Sequence, residues 1–417
     1  MSGMSGISGM SGMKRLGEPR YVITAAGAIG APGVGHDFFA GLSRGRHLPV
    51  PVAAFADAGL PVHHAYAAST YSAGALLGMR GLRTLDRSAR LICGAAHLCL
   101  AEAGTAGGAG LDGDSTGVVT ATAFGSVASI AAFDRASLEE HPNYVNPADF
   151  PNTTINTASS QVGIRWGLKA LNCTISNGFS ASLDAFFIAL RYMADGFAAA
   201  VLVGGVEELS VEALLGFYHQ GALAPDGEPA RPFAPGRRGV VLGEGAAVLL
   251  VEPAEGAAQV GRTALAIVAG FGTSFEPGGG VVATGIARAM RAALDDARVT
   301  PGEVDVVVAA AAGSPAGDAA EAAALSDVFA SGERPAVYAV KGAVGECYGA
   351  GGALAAAAAV HCMREGVIPP SPNAGALDWA PGSTPGRTPG STPLRVALIN
   401  AWGCDGRASS LVLTAPG

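Results

Sequence analysis

The sequence predicts an α/β protein in which helices cover both faces of a central sheet. Short runs rich in valine and alanine alternate with longer apolar segments of helical spacing, which is typical of such layers. The second half of the chain repeats the texture of the first. Apolar residues make up 49% of the 417 residues and charged residues only 14%, a ratio that excludes a disordered chain.

The elements follow in order after a small-residue tail at 1–19, which we expect to be disordered. In the first half we expect strands at 21–23, 117–122, 199–203 and at the end of 239–252, with helices at 76–100 and 180–196. In the second half we expect strands at 264–270, 304–309 and 395–400, with helices at 285–298 and 352–365. Residues 381–393 form a Pro/Gly/Ser/Thr repeat and are predicted to be an exposed loop insertion.

Composition excludes several classes of function. The net charge of -8 argues against a broad nucleic-acid-binding face. The longest apolar stretches fall far short of the ~20 residues that a membrane-spanning helix needs, and the N-terminus lacks the pattern of a secretory signal. Six cysteines without a CxxC pair indicate reduced, buried thiols in a cytoplasmic protein. His63 and His64 have no cysteine or carboxylate at metal spacing, so we expect no metal and no other cofactor.

A series of glycine-rich and charged motifs runs through the chain. In order they are Gly204-Gly205-Val206-Glu207-Glu208, Arg231-Pro232-Phe233, Arg237-Arg238-Gly239, Gly243-Glu244-Gly245, Pro315-Ala316-Gly317-Asp318 with Glu321, Lys341 followed by Gly345, Gly349-Ala350-Gly351-Gly352, and Asn400-Ala401-Trp402-Gly403. Together they resemble the β-ketoacyl synthase family over about residues 20–415. The resemblance implies a thiolase-like fold, five layers in the order α-β-α-β-α, built from two similar halves at 20–252 and 253–417, and an obligate dimer.

The resemblance also implies a chemistry. In this family a cysteine at the N-terminus of a buried helix takes an acyl chain, because the helix dipole and nearby histidines favour its thiolate. Two histidines assist decarboxylation of a malonyl unit carried by an acyl carrier protein. Two backbone N–H groups form the oxyanion hole.

When the family's motifs are matched to this sequence residue by residue, the three catalytic positions carry neither a cysteine nor a histidine. The segment Phe179-Ser180-Ala181-Ser182-Leu183-Asp184-Ala185 matches the family's Cys-Ser-Ser-Ser-Leu-x-Ala, so Phe179 stands at the nucleophile position. The two histidine positions are occupied by Ala310 and Glu346. Glu321 and Lys341 match the family's buried acid and lysine, and we expect them to form a structural ion pair.

Two alternatives keep a chemical role for this chain. Cys173 lies six residues before Phe179 and is the rival nucleophile, although its match to the strand before the active-site turn favours an inert core residue. Glu346 is the rival acid or base at a reworked site. Either would make the chain a standalone condensing or malonyl-decarboxylating ketosynthase.

The combination of a kept scaffold and missing catalytic groups is similar to the chain length factors of type II polyketide synthases. Such a subunit does not condense; it pairs with an active ketosynthase, meets the acyl carrier protein through that complex, and shapes the tunnel in which an aromatic or polyene chain grows. The segments 117–122, 124–133 and 172–178 match the family's dimer interface. Phe124, Ile130 and Phe133 are the apolar residues that we expect to line the tunnel.

Overall fold

A computed structural model describes residues 20–44, 47–57, 59–105, 110–139, 141–278, 280–330, 334–373 and 393–417. The predicted tail at 1–19 and nearly all of the predicted loop at 381–393 lie outside these ranges. Within them, no helix is both long and apolar enough to cross a membrane.

The strands are β1 Tyr21–Gly30, β2 Gly33–Val34, β3 Val50–Pro51, β4 His64–Ala65, β5 Thr116–Ala121, β6 Asn172–Ile175, β7 Ala200–Glu207, β8 Gly245–Pro253, β9 Ala266–Phe275, β10 Val306–Val308, β11 Ala336–Tyr338, β12 Val396–Trp402 and β13 Arg407–Thr414. The α-helices are α1 His36–Leu42, α2 Ala53–Ala56, α3 Ala73–Leu77, α4 Arg87–Glu102, α5 Val127–Glu139, α6 Thr157–Trp166, α7 Ala181–Ala194, α8 Val211–His219, α9 Ala254–Gln259, α10 Ala283–Ala297, α11 Pro315–Val328, α12 Lys341–Val344 and α13 Gly351–Glu365. Short 3₁₀ helices cover Pro142–Tyr144, Pro147–Thr153, Pro301–Glu303 and Tyr348–Ala350.

Ten strands form two five-stranded halves with the same internal pattern. The order across both halves is β11-β10-β12-β13-β9-β1-β8-β7-β5-β6. In each half three strands are parallel and the two nearest the centre are antiparallel. The strands of the two halves are joined by two residue pairs between β1 and β9. On either side of this junction the strands follow the same pattern.

Helices lie in three layers around these strands. The middle layer is α7 and α13, which pack against each other and against strands of both halves. The approach of these two helices is close, since a Cβ at Gly352 would come within 2.8 Å of Leu183 Cγ. One outer layer is α4 and α6, and the other is α10 and α11. The order of layers is therefore α-β-α-β-α.

The helix predicted at 76–100 is wrong in its first half. The chain instead forms α3, which ends at Leu77, and then α4, which begins at Arg87. Gly78 and Gly81 between them adopt φ of +73° and +77°, a conformation that ends a helix. Asp86 then caps α4, because its side chain accepts a hydrogen bond from Ala89 N at 2.7 Å.

Candidate functional site

The position that the resemblance assigns to the nucleophile lies in the turn before α7. Phe179 precedes Ser180, the N-cap of this helix. Asp184 holds the turn, because its carboxylate accepts hydrogen bonds from Asn177 Nδ2 at 2.6 Å and Ser180 Oγ at 3.1 Å. Ser409 Oγ on β13 donates to the same carboxylate at 2.5 Å. The turn that the resemblance assigns to the nucleophile is therefore held in place by hydrogen bonds, but its side chain is the benzyl group of Phe179.

Four rings, which we call the aromatic cluster, meet at this turn: Phe124, Phe179, Phe217 and Tyr348. Phe179 stacks on Phe217 with ring centroids 6.2 Å apart, and lies 5.6 Å from the ring of Tyr348. Phe124 packs edge-on to Tyr348 at 5.0 Å and to Phe179 at 6.5 Å. Such contacts stabilise by about 0.5–1.5 kcal/mol per pair beyond burial. The cluster surrounds Phe179 with apolar surface where a thioester would need polar donors.

Ala310 follows β10 and is buried. Its backbone N–H donates to Glu321 Oε1 at 3.1 Å, while its methyl side chain has no proton to exchange. Burial raises the pKa of Glu321, and its hydrogen bonds from Ala310 N and Asn400 Nδ2 act in the opposite direction. This carboxyl is thus engaged with the backbone and an amide inside the C-terminal half.

Glu346 is also buried, and it is tied to Lys341. The Lys341 ammonium donates to both carboxylate oxygens of Glu346 at 2.8 Å each. The side chains are 6% and 4% exposed, so the pair is almost fully removed from water. Glu346 Oε1 also accepts from Tyr348 N at 3.0 Å, and Tyr348 adopts a left-handed φ of +43°. The carboxylate at the second histidine position therefore supports the backbone that carries the Tyr348 ring.

The predicted ion pair between Glu321 and Lys341 is wrong, because Lys341 pairs with a different carboxylate. Among the described residues Lys341 forms its ion pair with Glu346, and Glu321 accepts from Asn400 and Ala310 instead. The Lys341 charge still lowers the pKa of Glu321, but only as a minor influence beside burial. A carboxylate five residues after Lys341 reaches its ammonium directly, and both of its oxygens accept from that ammonium.

The three predicted tunnel residues lie in one region but in different surroundings. Phe124 belongs to the aromatic cluster and is 39% exposed. Ile130 is 40% exposed on α5. Phe133, on the same helix, packs edge-on to Phe150 with centroids 6.0 Å apart. Phe133 also lines an open groove of about 320 Å³ between α5 and the 3₁₀ helices at Pro142–Tyr144 and Pro147–Thr153.

The rival nucleophile lies away from the turn. Cys173 is on β6, paired with Val119 of β5, and burial raises the pKa of its thiol. Because Cys173 lies inside a strand, it lacks the helix N-terminus that would favour a thiolate. No group of three or more His, Cys, Asp or Glu side chains that could hold a metal ion occurs within the described ranges.

Three residues of the site were missed by sequence reasoning. Phe217 lies on α8 and Tyr348 follows Glu346 by two positions, and nothing in their local pattern marks them as neighbours of Phe179. Glu207 was noted only as part of a motif, yet its buried carboxylate accepts hydrogen bonds from the segment that leads into α5. The position of Tyr348, between Lys341 and the glycine motif at 349–352, is the one signal that could have drawn attention to it.

Comparison with known proteins agrees with this geometry. The family model of the beta-ketoacyl synthase N-terminal domain matches residues 66–257, and that of the C-terminal domain matches residues 254–375. The chain is 33% identical to the tetracenomycin polyketide synthase ketoacyl synthase beta subunit of Streptomyces glaucescens, over 94% of this chain and 97% of that protein. It is 28% identical to 3-oxoacyl-[acyl-carrier-protein] synthase 2 of Coxiella burnetii, over 95% and 98% of the two chains.

A solved structure extends the comparison to the fold. The structure described as the ishigamide ketosynthase/chain length factor superposes with a TM-score of 0.87 at 26% identity, and the match covers 97% of this chain and 100% of that one. The predicted thiolase-like ketosynthase fold is thereby confirmed. With two matching domain models and a relative of 33% identity over nearly its full length, this chain belongs to the β-ketoacyl synthase family.

Proposed function

We propose that this chain is a non-catalytic, chain-length-factor-like subunit, which pairs with an active ketosynthase and shapes the tunnel for the growing acyl chain in polyketide biosynthesis. The observation that carries the proposal is the aromatic cluster at the turn before α7. Phe179 has no nucleophilic atom, and its ring is packed against Phe217 and Tyr348. Ala310 supplies no imidazole, and the Glu346 carboxylate is occupied by Lys341.

The family comparisons support the same reading. The relatives include a ketoacyl synthase beta subunit and a ketosynthase/chain length factor structure, beside synthases of the 3-oxoacyl type. The scaffold around the vacated positions is well packed, with buried carboxylates that accept hydrogen bonds from the backbone. A degraded, unused gene product would have no reason to retain those contacts.

An exposed apolar face supports the partner. Helix α5 has no buried residue, although eight of its residues, Val127, Ala128, Ile130, Ala131, Ala132, Phe133, Ala136 and Leu138, are apolar. The four-residue strand β6 is the last strand of the sheet, and among the described residues it pairs with β5 alone. An open strand edge and a set of exposed apolar side chains are each suited to contact with another chain. We infer that this face receives the ketosynthase, which in turn engages the acyl carrier protein.

The test is co-expression with candidate type II ketosynthases, followed by size-exclusion chromatography and a carrier-protein condensation assay. We expect a one-to-one complex whose condensation is lost when the ketosynthase's catalytic cysteine is replaced by alanine. Replacing Cys173 by alanine in this chain should leave condensation unchanged. Turnover by this chain without a ketosynthase, or an acyl mass shift on Cys173, would favour the standalone enzyme instead.

A further inference from the structure

One buried carboxyl group joins two neighbouring strands at the site. Glu207 is the last residue of β7 and is almost fully buried. Strands β5 and β7 are parallel, with Ala121 opposite Gly205, so the chain that leaves β5 passes the Glu207 side chain. Glu207 Oε1 accepts hydrogen bonds from Ala123 N at 2.8 Å and Phe124 N at 3.3 Å, and also from the Thr122 hydroxyl.

The turn at 122–125 is held from two further directions. Gly125 N donates to Thr122 Oγ1 at 2.8 Å, and Gly125 adopts φ of +65°, which favours glycine. Gly349 lies against the turn so closely that a Cβ there would come within 2.4 Å of Ala123 N. The backbone of this turn thus has little room to move as long as Glu207 holds its N–H groups.

Phe124, in this turn, is both packed and partly exposed. Its ring packs on Tyr348 and Phe179 inside the aromatic cluster, while 39% of the residue remains exposed at the start of the apolar face. It is the member of the aromatic cluster that is also among the predicted tunnel residues. The position of its ring depends on the backbone that Glu207 fixes, because Phe124 N is itself one of the donors.

We propose that Glu207 is a positioning residue for product length: it holds the 122–125 turn so that the Phe124 ring stays on the aromatic cluster and limits the chain that grows in the partner. This inference rests on the proposed function, since it assumes that a partner's chain reaches Phe124. Glu207 itself touches neither the chain nor the reacting atoms.

The experiment is a double-mutant cycle in the co-expressed complex. The variants are Phe124→Ala, Glu207→Leu and the double variant, with product lengths read by chromatography and mass spectrometry. Glu207→Leu should lengthen the products as Phe124→Ala does. In the double variant the ratio of longer to parental products should equal that of Phe124→Ala within about twofold, which is the accuracy to which independent effects add. Glu207→Gln keeps the acceptor oxygen and should restore the parental length. Hydrogen exchange at 122–125 should accelerate in Glu207→Leu and not in Glu207→Gln.

Controls separate positioning from loss of stability. Val203→Ala, a buried truncation in the same strand, should lower stability without changing product length. Where Glu207→Leu does not fold, Thr122→Val serves in its place. It removes the hydroxyl that donates to Glu207 and that accepts from Gly125 N, so it loosens the same turn with little change in shape. Additive length changes in the double variant, or unchanged length in Glu207→Leu and Thr122→Val while Phe124→Ala lengthens the products, would overturn the inference alone. Parental product length in every variant, Phe124→Ala included, would also overturn the inference, because Phe124 would then not limit the chain. Failure of any complex to form would overturn the proposed function with it.

Discussion

Phe179 places a benzyl side chain in the turn that the resemblance assigns to the nucleophile, and this limits what replacing it by cysteine can do. Phe179→Cys places a thiol at the start of α7, where the helix dipole supplies part of its activation. Decarboxylation also needs donors to the developing enolate, and loss of one such donor typically costs ~10²–10³ in rate. We expect slow self-acylation by a reactive thioester and condensation at background.

The measurement for Phe179→Cys is intact mass for self-acylation and chromatography for products, with acyl and malonyl carrier substrates. The parent chain is the control for non-specific acylation. Multiple condensation turnovers by the single variant without a partner would show that the assignment of Ala310 and Glu346 to vacated positions is mistaken.

The buried pair of Lys341 and Glu346 makes a second prediction at this scale. Lys341→Met leaves the Glu346 carboxylate buried without its cation, which costs about 3–5 kcal/mol in comparable cases. Lys341→Met combined with Glu346→Leu should recover most of this loss, because no charge is then stranded. Urea unfolding of the parent, the single variant and the double variant measures both changes in the free energy of unfolding. The matched control is Lys169→Met, whose ion pair with Asp114 is exposed to water and should therefore contribute far less to stability. Equal effects of the two lysine variants would contradict a stabilising role for the buried pair.

A third prediction concerns pH. Burial raises the pKa of Glu207 to about 8, above its ordinary value of 4.5. Between these values the unfolded chain releases the proton while the folded chain retains it, so the free energy of unfolding falls as pH rises. Glu207→Gln removes this dependence. The stability of the variant relative to the parent should therefore increase between pH 5 and pH 8, by at most about 1.4 kcal/mol per pH unit.

Urea unfolding at each pH unit from 5 to 8 measures the Glu207 effect. The neighbouring Glu208, whose pKa burial raises to about 7, is present in both proteins, so its own slope largely cancels in the difference. A difference that stays flat over this range would mean that Glu207 is ionised throughout in the folded chain.

At the scale of elements, α5 and the turn before it carry the prediction on product length. Phe124→Ala, Ile130→Ala and Phe133→Ala each remove volume from the face that we assign to the tunnel. At least one of them should give longer products from the complex, because the chain gains room before it meets protein. Leu138→Ala, at the exposed end of α5, is the control. If the three variants give parental product length at normal yield, these residues do not line the tunnel.

At the scale of the whole molecule, the exposed apolar residues of α5 predict the behaviour of the chain by itself. Obligate interfaces bury more than ~2,000 Å² and are apolar, so a subunit without its partner exposes a large apolar surface that favours self-association. We expect poor solubility or homodimers when the chain is expressed alone, and a soluble heterodimer on co-expression. Light scattering after size exclusion reports the mass. A stable, monodisperse monomer at micromolar concentration would speak against the proposed pairing.

The elements that could be predicted from the sequence are those whose signal is local. The strand near 117–122 and the helices near 180–196, 285–298 and 352–365 lie within a few residues of β5, α7, α10 and α13, because apolar periodicity and terminal glycines act over single turns. The break between α3 and α4 was missed, since it depends on two glycines with positive φ inside a run whose apolar residues keep helical spacing. The family and its layered fold followed from motifs that need no knowledge of contacts.

What only the tertiary structure decided is which of these residues meet. The sequence by itself determined that Phe179, Ala310 and Glu346 carry no thiol or imidazole, because side-chain chemistry is a property of each residue. The gathering of Phe179, Phe217 and Tyr348 and the hydrogen bond from Phe124 N to Glu207 depend on distances between segments far apart in the chain. The pairing of Lys341 with Glu346, five residues further on, depends on how the backbone between them folds. A buried charge pairs with whichever opposite charge packing brings within about 3 Å, and rings stack only where the layers bring them together, so no local pattern encodes either outcome.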